Sequence, residues 1–202
     1  MPLSGYFGIQ DAIVVILCAS MGFSILRRNP DDPTRWIPFN AYTGARWAVG
    51  IAVLLVSVLT MQRVDSPPYY VISFAGALVF LAGAVFFYGA KSPMSSILVE
   101  DPEYGAILKP KGLYRFVRHP LFFGLFLCSV GFPLYLLSIP GLVVSVAAAF
   151  PLLYYSSTTI DAQWAGRSGV AYDEYRAQVH LFIPSLKSAW KKETKEKDVQ
   201  RI

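Results

Sequence analysis

The chain has 202 residues, 54% of them hydrophobic and only 15% charged. A soluble domain carries roughly a quarter charged residues, and here the apolar residues gather into long runs, which excludes a water-soluble globule in favour of a multi-pass membrane protein. The net charge of +5 is placed between the apolar runs and at the C-terminus, a pattern that suits a membrane surface and not nucleic acid.

The first apolar run, 6–26, is long enough to span a bilayer, which needs about 20 residues. A cleaved signal peptide carries its basic residues ahead of the apolar run. Here Arg27 and Arg28 follow it, so the run reads as a retained helix with Asp11 near its outer end. The polar loop 27–44 contains Pro30, Pro33 and the pair Asp31-Asp32, which rule out a long helix. Trp36, Phe39 and Tyr42 suit the membrane interface. The second span, 47–61, is short unless Arg46 snorkels at its end. A turn at 62–68 ends in Pro67-Pro68, and the third span is 69–88. Gly76, Ala77, Gly83 and Ala84 give that span small faces that let helices approach closely in lipid.

Residues 89–119 show no helical period, and a loop that long inside a compact protein is usually functional. It runs into the stretch from Gly112 to Gly124, where Arg115, Arg118 and His119 stand directly before Pro120 and a long uncharged run. Proline fits the first turn of a helix, so a fourth span of 120–138 opens there. A helix N-terminus flanked by arginines suits an anionic group. Ile139-Pro140 reads as a tight turn, followed by a fifth span, 141–160. In 161–184, Trp164, Tyr172, Tyr175 and Val179 can share a helical face with Ile160, and 185–202 is a lysine-rich tail. Cys18 and Cys128 fall inside apolar runs as small hydrophobes, and no metal site is expected.

Basic residues alternate between loops. Arg27, Arg28, Arg35 and Arg46 lie between spans one and two, and only Arg63 lies between two and three. Lys91, Lys109, Lys111, Arg115 and Arg118 lie between three and four, and none lies between four and five. By the positive-inside rule the N-terminus is outside and the C-terminus cytoplasmic. The fold expected is therefore an all-α membrane protein of five transmembrane helices with a cytoplasmic C-terminal helical segment. The Arg118-His119 mouth and that segment then meet on one side.

Gly112-x-Tyr114-x-x-x-Arg118-His119-Pro120-x-x-x-Gly124, followed by Gly169, Tyr172, Tyr175 and Ile183-Pro184 in order, resembles the isoprenylcysteine carboxyl methyltransferase and phospholipid methyltransferase superfamily of integral membrane enzymes. The resemblance covers roughly 92–184. It departs at the family's paired glutamates, which fall on Ile160 and Asp161, and at Phe122, where tyrosine is common.

The resemblance implies an S-adenosylmethionine-dependent methyltransferase. Its acceptor would be a lipid-like or isoprenylated molecule reached from the bilayer, at the cytoplasmic face. It implies a cofactor site at Gly112, Tyr114, Arg118, His119, Pro120, Gly124, Asp161, Tyr172 and Tyr175, with Arg118 and His119 nearest the chemistry. Arg118 and the helix N-terminus at Pro120 suit the cofactor's carboxylate. The loop 89–119 is expected to close over the site. Two alternatives stand beside this: an NADPH-dependent membrane reductase of the sterol reductase type, which can carry a single aspartate at that place, and a non-enzymatic relative that keeps the scaffold.

Overall fold

The structure is a computed structural model and describes residue 16 and residues 41–62, 66–92, 97–101, 105–108, 110–168 and 170–182. The predicted first span apart from Ile16, most of the loop 27–44 and the basic tail lie outside the described residues. The chain divides into two compact units, Met1–Pro38 and Phe39–Ile202. Of the first, only Ile16 is described, and it is helical and exposed. Everything that follows concerns the second.

The second unit is mainly helical. Its elements are α1 (Ala41–Leu59), α2 (Pro67–Lys91), a β-ribbon of β1 (Leu98–Asp101) and β2 (Gly105–Leu108), a 3-10 turn Gly112–Arg115, α3 (Pro120–Tyr135), α4 (Ile139–Val144), α5 (Phe150–Ser168) and α6 (Val170–Gln178). A π-helical turn, Ser145–Ala149, joins α4 to α5, so that Ile139–Gly166 forms one 28-residue helical run. The ribbon is the departure from an all-α fold. It is antiparallel, with Leu98 opposite Leu108 and Asp101 opposite Gly105, and it occupies the stretch expected to be a plain loop. Strands of four residues are too short to reveal a period of two among flanking prolines and glycines.

Prolines set the helix starts. Pro67, Pro120 and Pro140 each stand in the first turn of a helix, where a missing N–H costs nothing. Pro67-Pro68 and Ile139-Pro140 are thus openings and not the turns that the sequence suggests. The turn between α3 and α4 lies earlier, at 136–138. There Leu137 adopts φ 54°, Ser138 N donates to Pro133 O at 2.8 Å and Leu137 N to Leu134 O at 3.1 Å. This is the paired closure of a helix C-terminus that usually employs glycine. Ser138 Oγ then accepts from Gly141 N at 3.0 Å and caps α4.

α2 and α3 lie antiparallel in close contact along a glycine seam. A Cβ on Gly83 would lie 2.7 Å from Gly124 O and from Cys128 N. One on Gly131 would lie 2.7 Å from Phe80 Cα, and one on Gly76 would meet Leu134 at the same distance. The seven-residue spacing of Gly76 with Gly83 and of Gly124 with Gly131 repeats this contact along both helices, as small residues do in lipid. Phe80, Phe87, Phe122 and Phe132 fill the buried layer beside it.

Two helices, Pro67–Lys91 and Ile139–Gly166, are long and apolar enough to cross a membrane, and only 28% of each apolar window is buried. Val71, Phe74, Leu78, Leu81 and Val85 of α2 face outward. An exposed apolar face of that extent is poorly compatible with water, whereas a lipid environment accepts it. Gly44–Leu59 and Pro120–Tyr135 are shorter apolar helices. Buried hydroxyls within the bundle return to the backbone one turn earlier, as Ser57 does to Val53 O at 2.6 Å and Ser157 to Leu153 O at 2.8 Å, so they carry no unpaired donor into the apolar interior.

Candidate functional site

Asp161 is an acid inside α5, 6% exposed, and a buried carboxylate is tolerable only when paired and hydrogen-bonded. Three donors meet it. Arg118 Nη1 pairs with Oδ2. His119 Nε2 lies 2.7 Å from Oδ1, and the Tyr172 hydroxyl donates to the same oxygen at 2.5 Å. Four predicted site residues, Arg118, His119, Asp161 and Tyr172, are therefore one network, drawn from the link before α3, from α5 and from α6.

The link is shaped by its own residues. Gly112 opens the 3-10 turn with φ 58°, a conformation that glycine adopts without steric cost. Tyr114 and Val117 are buried below the turn, Val117 completely. His119 then occupies the N-cap of α3 but its side chain makes no cap bond. Its ring is committed to Asp161 instead. The backbone is held from outside the helix: Arg118 N donates to His180 O at 3.0 Å and His119 N to Leu181 O at 3.3 Å. Residues 180–182 thus form a strap across the mouth of α3. Phe182 anchors the strap among Phe123, Phe150 and Tyr154, with ring centroids 6.3–6.4 Å apart.

Tyr175 closes the network from below. Its hydroxyl donates to Tyr114 O at 2.6 Å, and its ring meets that of Tyr172 edge-on at 5.7 Å. Ile97, Tyr114, Tyr172, Tyr175 and Val179 form one apolar cluster flanked by Trp164. Both tyrosine hydroxyls hold their protons well above the ordinary phenol range. For Tyr172 burial is the main cause, followed by its bond to Asp161; for Tyr175 it is burial, followed by the neighbouring Tyr172. These tyrosines are therefore donors with fixed acceptors.

The remaining predicted residues separate by role. Pro120 starts the helix that presents the site. Gly124 faces Gly83 and Phe87 across the helix seam, where an added Cβ would stand 2.7 Å from Gly83 O and from Phe87 N. Gly112 serves through its backbone angle. One residue was read only as a snorkelling charge. Arg46 of α1 lies over the Phe122 ring at 5.5 Å, and that ring is 5.9 Å from His119. An arginine over an aromatic face has no sequence signature when 76 positions separate the two.

The arrangement places a cation and an anion side by side, both largely shielded from solvent. Arg118 Nε is itself buried with no hydrogen-bond partner among the described residues, which is unusual for a guanidinium donor. None of the curated proteins and none of the solved structures matches the chain. The stretch that holds the seam, the mouth of α3, Asp161 and both tyrosines does match a family along residues 7–179, and the chain belongs to that family, DUF1295, a family of proteins of unknown function.

Proposed function

We propose that the protein is an S-adenosylmethionine-dependent methyltransferase of the membrane, acting on a lipid-like or isoprenylated acceptor at the cytoplasmic face. The observation that carries this reading is the Arg118–Asp161 pair with the unpartnered Nε of Arg118. The amino-acid end of the cofactor is a zwitterion with one carboxylate and one ammonium. Removing one partner from a buried ion pair strands a charge at a cost of several kcal/mol. A zwitterion avoids that, because Arg118 takes the carboxylate and Asp161 the ammonium. The donor set fits the group: Arg118 has an Nε without a partner to direct at a carboxylate, and the N-terminus of α3 adds partial positive charge.

When bound, S-adenosylmethionine supplies the activated methyl group. The chain's own task is then to bind and orient. Oδ2 of Asp161 faces Arg118, while Oδ1 keeps His119 and Tyr172 in place. The strap 180–182 holds the backbone of Arg118 and His119. The positive-inside distribution supports a cytoplasmic mouth, with the cofactor arriving from the cytoplasm and the acceptor from the bilayer. A second reading, an NADPH-dependent membrane reductase, is favoured by the Tyr172 hydroxyl beside a single acid, a proton source of the kind a reductase needs.

Titration calorimetry of the purified protein with S-adenosylhomocysteine and with NADPH separates these readings. The expected outcome is binding of the first and not the second. In Arg118→Lys the affinity falls about ten- to a hundred-fold with thermal stability kept, because lysine cannot reproduce the planar fork and one charge-assisted hydrogen bond contributes about 1.5–3 kcal/mol. Binding of NADPH alone establishes the reductase, and binding of neither establishes a non-enzymatic relative.

A further inference from the structure

α3 and α5 meet along a line that changes character along its length. At the mouth of α3 it is polar, where His119 meets Asp161 at 2.7 Å. Deeper in the bundle it is aromatic, where Phe126 of α3 meets Phe150 of α5 with ring centroids 5.1 Å apart. Phe123 and Phe126 stand four and seven residues past His119, and Tyr154 and Phe150 stand seven and eleven residues before Asp161. Such intervals keep residues on one helix face. With a rise of about 1.5 Å per residue, Tyr154 lies about 10 Å along α5 from Asp161. Between the polar and the aromatic ends stands a ring that belongs to neither helix. Phe182 of the strap lies 6.4 Å from Phe123 on one side, and 6.4 Å from Phe150 and 6.3 Å from Tyr154 on the other. These separations fall near the upper end of the range over which rings attract, about 4.5–7 Å. The outer edge is open: Phe150 is 38% and Tyr154 49% exposed, which in a bilayer sets both against lipid chains. α3 itself is held firmly. The glycine seam fixes it to α2, and at its far end Tyr135 O accepts from Ser73 Oγ and Leu136 O from Gln62 N at 3.1 Å. The strap, by contrast, lies outside any helix and meets the mouth through the His180 and Leu181 carbonyls.

We propose that Phe182 is a removable wedge: its ring occupies the place that the hydrocarbon chain of the acceptor lipid takes, and the strap lifts before the acceptor is seated. The proposal rests on the methyltransferase reading for the acceptor's being lipid-like. An amphiphile matches the α3–α5 line lengthwise, with its headgroup at the Arg118–Asp161 mouth and its chain along Phe123, Phe126, Phe150 and Tyr154. Phe182 gives those rings an apolar partner in the meantime, because surfaces left without a neighbour forfeit their dispersion contacts. The wedge is also coupled to the site. It follows directly on Leu181, whose carbonyl accepts from His119 N at 3.3 Å. A chain that displaces the ring pulls on that bond, so the acceptor's arrival is felt by the backbone that positions His119. Phe182 is in this scheme a positioning residue and an autoinhibitory contact in one.

The test has two arms, both on the full chain in lipid nanodiscs. In the first, 4-fluorophenylalanine replaces Phe122, the buried ring 5.9 Å from His119, and the discs contain phosphatidylcholine with a doxyl spin label on one chain. A labelled chain broadens the fluorine line when it enters between α3 and α5. The expected result is broadening at least five-fold greater in Phe182→Ala than in the wild type. The same label at Phe74, which α2 exposes to lipid, should broaden equally in both. Equal broadening at position 122 overturns the wedge. The second arm needs no variant of Phe182. 3-Fluorotyrosine replaces Tyr154, and 1-hexadecanol is added as a rising fraction of the lipid. The expected result is a saturable shift of the fluorine line as Phe182 leaves its neighbour, absent from the Phe74 control. No shift, or one that grows linearly at both positions, overturns the wedge. Titration of the same proteins with S-adenosylhomocysteine keeps the two readings apart. Binding without the two fluorine effects removes the wedge and leaves the methyltransferase; the fluorine effects without binding leave the wedge and remove the methyltransferase.

Discussion

Tyr172 and Tyr175 are both 0% exposed, and each hydroxyl donates to a fixed acceptor, Asp161 for one and Tyr114 O for the other. Their protons are held above the usual phenol range by burial first and by the neighbouring Asp161 or Tyr172 second. The sign of the resulting pH dependence follows directly. A proton bound more tightly in the folded state than in the unfolded one leaves stability unchanged below the unfolded value, about 10 for tyrosine. Above it, stability falls as pH rises, because the unfolded chain releases the proton and the folded chain does not. The melting temperature should therefore be level from pH 8 to about 10 and decline beyond. The double variant Tyr172→Phe, Tyr175→Phe should decline less steeply, and tyrosinate absorbance should show these two rings silent until the fold breaks. Equal slopes in wild type and variant would assign the alkaline loss to other groups.

Among the elements, the pair α2 and α3 governs the site, because α3 carries Arg118 and His119 at its mouth. The Gly83–Gly124 contact sets how closely the pair packs. Gly83→Leu places carbon where Cys128 N and Gly124 O stand 2.7 Å from a Cβ, and backbone atoms cannot yield as a flexible side chain would. Overpacking of this kind costs about 1–3 kcal/mol. The expected outcome is a lower melting temperature and weaker S-adenosylhomocysteine binding together. Gly50→Ala, with nothing within 4 Å, should leave both unchanged, and an equal effect of the two substitutions would refute the seam. Much of this level was legible. Gly76 and Gly83 announced a close helix approach, and Pro120 announced the start of α3. The ribbon 98–108 was not legible, since four-residue strands carry too few positions for a period. The paired prolines misled because a proline at the first turn and a proline in a loop look alike until the hydrogen bonds are known.

For the whole molecule, the site joins segments far apart in sequence, and the part carried by side chains could be read. Arg118, His119, Asp161, Tyr172 and Tyr175 were all named from their motif spacing, and the structure brings them together. What escaped reading is carried by backbone atoms and ring faces: the His180 and Leu181 carbonyls and Arg46 above Phe122. The carbonyl contacts do not depend on a residue type at a position, and the arginine and the ring lie too far apart in sequence to be paired by spacing. Charge gives the molecule its proposed orientation, with Lys91, Lys111, Arg115 and Arg118 on the same side as the mouth of α3. A reporter fused after residue 202 that is active only in the cytoplasm should be active, and one inserted in the uncharged turn at 136–138 should be silent. The reverse pattern would turn the site to the outer face and remove its access to a cytoplasmic cofactor.

The strap has a consequence for the order of biosynthesis. Arg118 and His119 are translated some sixty residues before the carbonyls that hold them, His180 O and Leu181 O. Insertion of α1 to α5 can proceed as each helix emerges, but the mouth of α3 waits for nearly the last described segment of the chain. A nascent protein halted anywhere before residue 180 is a bundle without a finished mouth. In the proposed orientation that segment arrives on the cytoplasmic side, so the site is completed only after all the helices that carry it have been made.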